Sequence, residues 1–279
     1  LNLAQTRPSR LTRPIAAVAG YFTAFSGLIG CHAARHEQAS SRSPEQPLSA
    51  APATASSPPA QPSARAPEPS SAAPAPSVGA PHHYVVAAVG DSITDPRSHG
   101  GGYLDYVKQR CPNIEIDNYG RGGTMVNQMR RHFDEEIAAS PKRYTHLIVF
   151  GGVNDLYSDL TAFRTPEKIE TDLSYMYSAG KARGMQVIAL TVAPWGGFTR
   201  FFNASRADAT HSVNSWIRDE PRKGQVDHVV DAYALLSCGD PDTLCDRFFK
   251  PFKDGIHFGP DGHRLLGAAL YQAAFSDCQ

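Results

Sequence analysis

Four short segments carry residues suited to acyl-group chemistry. Gly90-Asp91-Ser92-Ile93-Thr94 ends an apolar run with a serine. On a strand-to-helix turn such a hydroxyl is exposed at the sheet edge, where a nucleophile can meet a substrate. The same tripeptide also suits a plain helix cap. Asp254-Gly255-Ile256-His257, near the C-terminus, supplies what a serine lacks. Histidine takes up a proton near neutral pH, and a carboxylate across a tight glycine turn can fix its tautomer. The bland alternative is an Asx-type turn ahead of the last helix.

The other two segments are Asn118-Tyr119-Gly120-Arg121-Gly122-Gly123 and Gly151-Gly152-Val153-Asn154-Asp155. Glycines leave backbone amides open toward a developing negative charge, and Asn154 can donate a side-chain N–H. Losing one such donor typically costs ~100- to 1000-fold in turnover. Tight turns with glycine at positive φ and an asparagine cap give the same letters without chemistry.

These segments need a scaffold that brings them together. Apolar runs at residues 84–89, 114–118, 147–150, 186–192 and 226–230 read as strands. Helical spacing covers residues 103–110, 126–138, 166–183, 207–218 and 262–275, with Pro166 at a helix start and Gly184 as a stop. Alternating strands and helices predict an α/β fold with a parallel sheet covered on both faces. In such sheets ligands bind outside the carboxyl ends of the strands. All four segments fall there.

Of the 279 residues, 41% are hydrophobic and 19% charged, with a formal net charge of zero. No basic run is long enough to track a phosphate backbone, so nucleic acid is not an expected partner. The first 81 residues hold six arginines, no lysine and three glutamates; the remainder carries 21 basic and 24 acidic side chains. The division separates an expected export signal at residues 1–31, a disordered linker at residues 32–81 and a domain at residues 82–279. Arg7, Arg10 and Arg13 precede an apolar stretch ending in Leu28-Ile29-Gly30-Cys31. This resembles the lipobox of bacterial lipoproteins, with Cys31 lipidated and the domain held at a membrane. An uncleaved anchor or an ordinary signal peptide are the alternatives. Residues 39–81, almost entirely Ala, Pro and Ser, cannot bury enough apolar surface to fold. At ~3.1 Å per residue they can extend ~120 Å.

Setting Cys31 aside leaves Cys111, Cys238, Cys245 and Cys278, which allow three pairings in an oxidising compartment. Cys238 and Cys245 bracket a turn-rich stretch and are expected to pair locally, leaving Cys111 for Cys278. Four free buried thiols remain the alternative. No zinc spacing occurs, and the adjacent His82 and His83 read as solvated linker residues.

With all four segments in this order, residues 84–276 resemble the SGNH, or GDSL, hydrolase family. The resemblance implies a three-layer α/β/α sandwich with a flavodoxin-like five-stranded sheet ordered 2-1-3-4-5. It implies Ser92 as nucleophile, His257 as base, Asp254 as its orienting acid, and an oxyanion hole from Ser92, Gly120 and Asn154. No metal or organic cofactor is implied. Phe258 stands where many members have proline after the histidine, and either narrows the site or packs against the closing helix. Trp195 and Phe198, in the aromatic loop after the fourth strand, and Phe258 are candidate substrate contacts; a satellite core under that loop is the alternative. The loop from Arg97 to Gly102 is a candidate gate. The expected partner is a small-molecule or glycan ester, and the domain is read as a monomer. Three functions fit: a carboxylesterase or lipase, a carbohydrate O-deacetylase, and a glycan-binding module without turnover.

Overall fold

A computed structural model describes residues 83–278. The lipobox, the linker and His82 lie outside the described residues. Five parallel strands form the sheet: β1 (Tyr84–Gly90), β2 (Ile114–Asn118), β3 (His146–Phe150), β4 (Gln186–Leu190) and β5 (His228–Val230). Their order is β2-β1-β3-β4-β5, the expected one.

Strand side chains alternate between two cores, which is why the runs are apolar without interruption. Val86, Ala88, Ile148, Phe150 and Ile188 face α1 (Gly102–Arg110) and α8 (Pro260–Ala274). Ala87, Val89, Leu147, Val149 and Val187 face α2 (Val126–His132), α5 (Pro166–Ala182) and α6 (Ala204–Asp219). The predicted helix over residues 126–138 stays α-helical only to His132. Phe133–Ala138 continues as a π-helix, in which Phe133 and Ile137 both remain buried.

Four short elements were not legible. They are α3 (Val153–Tyr157), α4 (Asp159–Ala162), α7 (Ala232–Leu236) and a hairpin of β6 (Ser237–Cys238) with β7 (Asp240–Leu244). Both expected cysteine pairs form: Cys238 with Cys245 across the hairpin, and Cys111, after α1, with Cys278. Among the described residues no helix is long and apolar enough to cross a membrane.

The start of α3 is fixed by a buried ionic network. Asp155 is fully buried; it accepts the Val126 amide at 2.9 Å and the Arg164 Nε–H at 2.6 Å. Arg164 reaches Asp172 on α5 at 2.7 Å, and Arg130 on α2 reaches the same carboxyl at 3.2 Å. Removing one partner from such a network leaves buried charge uncompensated, a loss of about 3–5 kcal/mol. Arg164→Ala should therefore lower the thermal midpoint by ~6–20 °C for a domain of this size, measurable by calorimetry. An unchanged midpoint would show that Asp155 and Asp172 find other partners.

Candidate active site

The strand ends meet as the parallel topology requires. Gly90 closes β1 where an added Cβ would strike the Thr94 side chain. The turn beyond it is held from within: the Asp91 carbonyl accepts the amides of Thr94 and Asp95 at 3.1 and 2.9 Å, and Asp91 Oδ1 accepts Ile93 N–H at 3.0 Å. Burial pushes the Asp91 carboxyl up to about 6, against the opposing pull of the Ile93 amide and His257. Ser92 sits at the crest of this turn.

Ser92 Oγ lies 2.7 Å from His257 Nε2. His257 Nδ1 lies 2.6 Å from Asp254 Oδ2. Asp254 Oδ1 also accepts the backbone N–H groups of Ile256 and His257 at 3.0 and 2.8 Å. Burial alone would raise the Asp254 carboxyl. The His257 ring and the two amides outweigh it and hold it below the usual carboxylate range. The three residues predicted from sequence are therefore brought together in relay geometry.

The turn between Asp254 and His257 depends on Gly255. Its φ is +80°, and an added Cβ would overlap the Gly197 carbonyl. Gly197 is also tight, since its own Cβ would lie 2.9 Å from Gly255 Cα. Backbone packs on backbone here, joining the loop after β4 to the histidine turn. Gly255→Ala must shift that turn, and a 1 Å misplacement can cost ~100-fold. A fall in kcat of that order is expected in steady-state assays, with a stability loss of about 1–3 kcal/mol. Activity within twofold of the parent would mean that the turn is not held by this contact.

The loop after β2 is clamped to the serine turn through Asp95, which accepts Gly122 N–H at 3.0 Å and Arg97 N–H at 2.9 Å. Burial opposes its charge, but the Arg97 side chain and these amides hold the carboxyl at about 2. The clamp corrects one expectation. The Gly120 amide is not directed at an oxyanion: it donates to Asn118 Oδ1 at 2.8 Å. A Cβ on Gly120 would lie 2.6 Å from the Asp95 nitrogen, so glycine serves there for close approach. Gly123 instead lines the cavity in front of Ser92. The amides of Gly123 and Ser92 have no hydrogen-bond acceptor among the described residues. Asn154 Nδ2 gives one hydrogen to Thr124 O at 3.0 Å and makes only a long contact, 3.4 Å, with Asp91 Oδ2. Its Oδ1 accepts the Tyr157 hydroxyl at 3.0 Å, which fixes the amide's orientation.

The cavity has a volume of about 600 Å³; Ser92, Gly123, Asn154, Tyr157, Phe198 and His257 are in its wall. Phe198 is the aromatic-loop residue that reaches it. Trp195 does not: it is 1% exposed, donates its indole N–H to Thr210 Oγ1 at 3.0 Å and meets Phe202 edge-on. The satellite-core alternative holds for this residue. Phe258 is also 1% exposed; it packs between Gly262 and the His263 ring instead of facing the cavity. His99 and Phe252 form a further part of the wall. Phe252 was not singled out from sequence, and its place beside His257, with ring centroids 6.0 Å apart, depends on the fold.

The fold has relatives of known structure. A GDSL-like lipase from Bacteroides thetaiotaomicron superposes with a TM-score of 0.57 at 20% identity, over 68% of this chain and 87% of that one. An acetyl xylan esterase superposes with 0.54 at 20% identity, over 67% and 98%. An acetyl-xylooligosaccharide esterase from Geobacillus gives 0.53 at 18% identity, over 68% and 93%. At these identities the likeness is one of fold. No curated protein sequence matches the chain. The model of the GDSL-like lipase/acylhydrolase family matches residues 88–265, from within β1 into α8. A match that contains every strand end built into this site settles the classification: the chain belongs to the GDSL-like lipase/acylhydrolase family.

Proposed function

We propose that the chain hydrolyses carboxylic esters through an acyl-enzyme on Ser92. The observation that carries this reading is the unbroken relay from Ser92 Oγ through His257 to Asp254. Ser92 Oγ attacks the ester carbonyl carbon while His257 Nε2 takes its proton. The carbonyl oxygen becomes an oxyanion facing the amides of Ser92 and Gly123 and the Asn154 side chain. The tetrahedral intermediate collapses, the alkoxide leaves, and His257 returns the proton to it. Water then attacks the acyl carbon while His257 takes its proton; the bond from the acyl carbon to Ser92 Oγ breaks, His257 returns the proton to Oγ, and the acid departs.

A second reading, removal of acetyl groups from carbohydrate, is supported by the exposed Asp105 on the wall of the depression beyond His99 and by two of the structural relatives named above. The p-nitrophenyl ester series from acetate to palmitate, given to the full chain, separates the two. A sharp preference for acetate favours the deacetylase reading, and a preference for long chains favours a lipase. A folded protein inactive on the whole series would instead support the non-catalytic glycan-binding reading.

We also propose that Cys31 is lipidated and tethers the catalyst to a membrane. The arginine-led apolar stretch ending at that residue supports this. Labelling with a radioactive fatty acid that disappears in Cys31→Ala is the expected result; label retained in that variant would contradict it.

A further inference from the structure

A second cavity adjoins the catalytic one. It has a volume of about 520 Å³ and lies between the loop before α1, the start of α8 and the segment around Pro251. His99 and Phe252 line both cavities, so these two rings form the partition between them. They stand with centroids 5.9 Å apart. Phe252 in turn reaches toward His257, so the partition borders the reacting atoms.

The second cavity has a chemical character of its own. Pro96, Pro251, Pro260 and Phe252 give it apolar faces. Asp105 is exposed on its wall, and its carboxylate has no hydrogen-bond or ion-pair partner among the described residues. His263 also lines it, is 94% buried, and has a buried Nδ1 with no partner. Burial and the neighbouring His257 push this imidazole down to about 4, so it is neutral at physiological pH. An acyl chain would have to desolvate the Asp105 charge and would satisfy neither polar group. A ligand with an apolar face and a rim of hydroxyls matches this wall: the face on Phe252 and the prolines, a hydroxyl on Asp105. Tyr106, Asp261 and Arg264, the next residues along the same helices, line a separate cavity of about 410 Å³.

We infer that this cavity is a subsite for the alcohol half of the ester, and that it takes the sugar unit next to the one bearing the acyl group. The inference rests on the ester-hydrolase reading of the Ser92 site and specifies the leaving group for it. The acyl half then lies on the Phe198 and Tyr157 side of Ser92, and the glycan passes over the His99–Phe252 partition.

The test keeps the acyl group constant. The full chain and its Asp105→Ala variant are assayed on p-nitrophenyl acetate, on mono-O-acetylated methyl glucoside and xyloside, and on the matching disaccharides. Asp105 is exposed and lines only the second cavity of the two, so the variant should fold and keep its rate on the aryl ester within twofold. The expected result is a kcat/KM at least about tenfold higher for one disaccharide than for its monosaccharide. Asp105→Ala should abolish that advantage through KM. As a readout independent of turnover, the His263 ring resonances of Ser92→Ala should shift on titration with the unacetylated disaccharide. Equal rates on mono- and disaccharides throughout the panel would overturn the subsite, as would an equal loss on the aryl ester in Asp105→Ala. Aryl-ester turnover that survives in Ser92→Ala would instead overturn the hydrolase reading beneath it.

Discussion

Ser92→Ala is expected to lower kcat on an aryl ester by about 10⁴- to 10⁶-fold, the range over which loss of a triad nucleophile acts. The side chain makes one hydrogen bond in the resting site, to His257 Nε2, and the turn beneath it is held by Asp91 and by backbone groups. Alanine keeps that turn intact. The thermal midpoint should therefore move by no more than ~2 °C, the ordinary effect of a partly exposed polar substitution. KM should stay close to that of the parent, because the cavity walls are untouched. This combination separates a lost nucleophile from a damaged fold. A residual rate above ~1% of the parent, in a protein of unchanged stability, would mean that another group attacks the ester.

Asp254→Asn should cost about 10⁴-fold in kcat, the size of effect seen when a triad acid is made neutral. Its reason is directional. The carboxylate accepts from His257 Nδ1, so the lone pair on Nε2 faces Ser92 and can take its proton. Asparagine can donate to Nδ1 and so select the other tautomer, in which Nε2 already bears a proton. Asn Oδ1 can still accept the amides of Ile256 and His257, so the turn persists. The carboxyl is held below its usual range, so the parent keeps this charge throughout the pH range in which histidine titrates. The defect should consequently appear at every pH from about 5 to 8 and not as a shifted optimum. Full-range pH–rate profiles of both proteins give the measurement. A profile displaced along the pH axis with an unchanged plateau would contradict the assigned role.

The relay was legible because each member stands at a sequence feature with a single structural consequence. The apolar run before Gly90 brings a strand to its end two residues before Ser92, and the glycine between Asp254 and His257 permits the tight turn. The sheet order followed from the family resemblance, and the observed order β2-β1-β3-β4-β5 bears it out. The glycine of the proposed oxyanion hole was harder. Gly120, Gly122 and Gly123 are identical letters within four positions, and only their acceptors tell them apart. Asn118 takes the first amide, Asp95 takes the second, and the third is left for a ligand. The aromatic loop failed for a related reason. Trp195 and Phe198 are three residues apart in an irregular segment without periodicity, and the inward turn of Trp195 is set by Thr210 on α6, the helix that follows. For Phe258 the sequence allows both a site contact and packing against the closing helix, and its neighbour in space is His263, on that helix. The start of α3 depends on Arg164 meeting Asp155, a contact that no local pattern encodes.

The central claim is that Ser92 is the activated nucleophile, and a fluorophosphonate probes it most directly. An activated serine oxygen displaces fluoride from phosphorus and retains the phosphonyl group as a stable adduct. With the full-length chain, peptide mass spectrometry should find one equivalent of phosphonyl on the peptide containing Ser92, and esterase activity should fall in proportion to labelling. The same reagent should leave His257→Ala essentially unlabelled, because that serine has lost its base. Labelling of a different residue that accompanies inactivation, or full ester turnover in a protein that takes up no label at Ser92, would contradict the account.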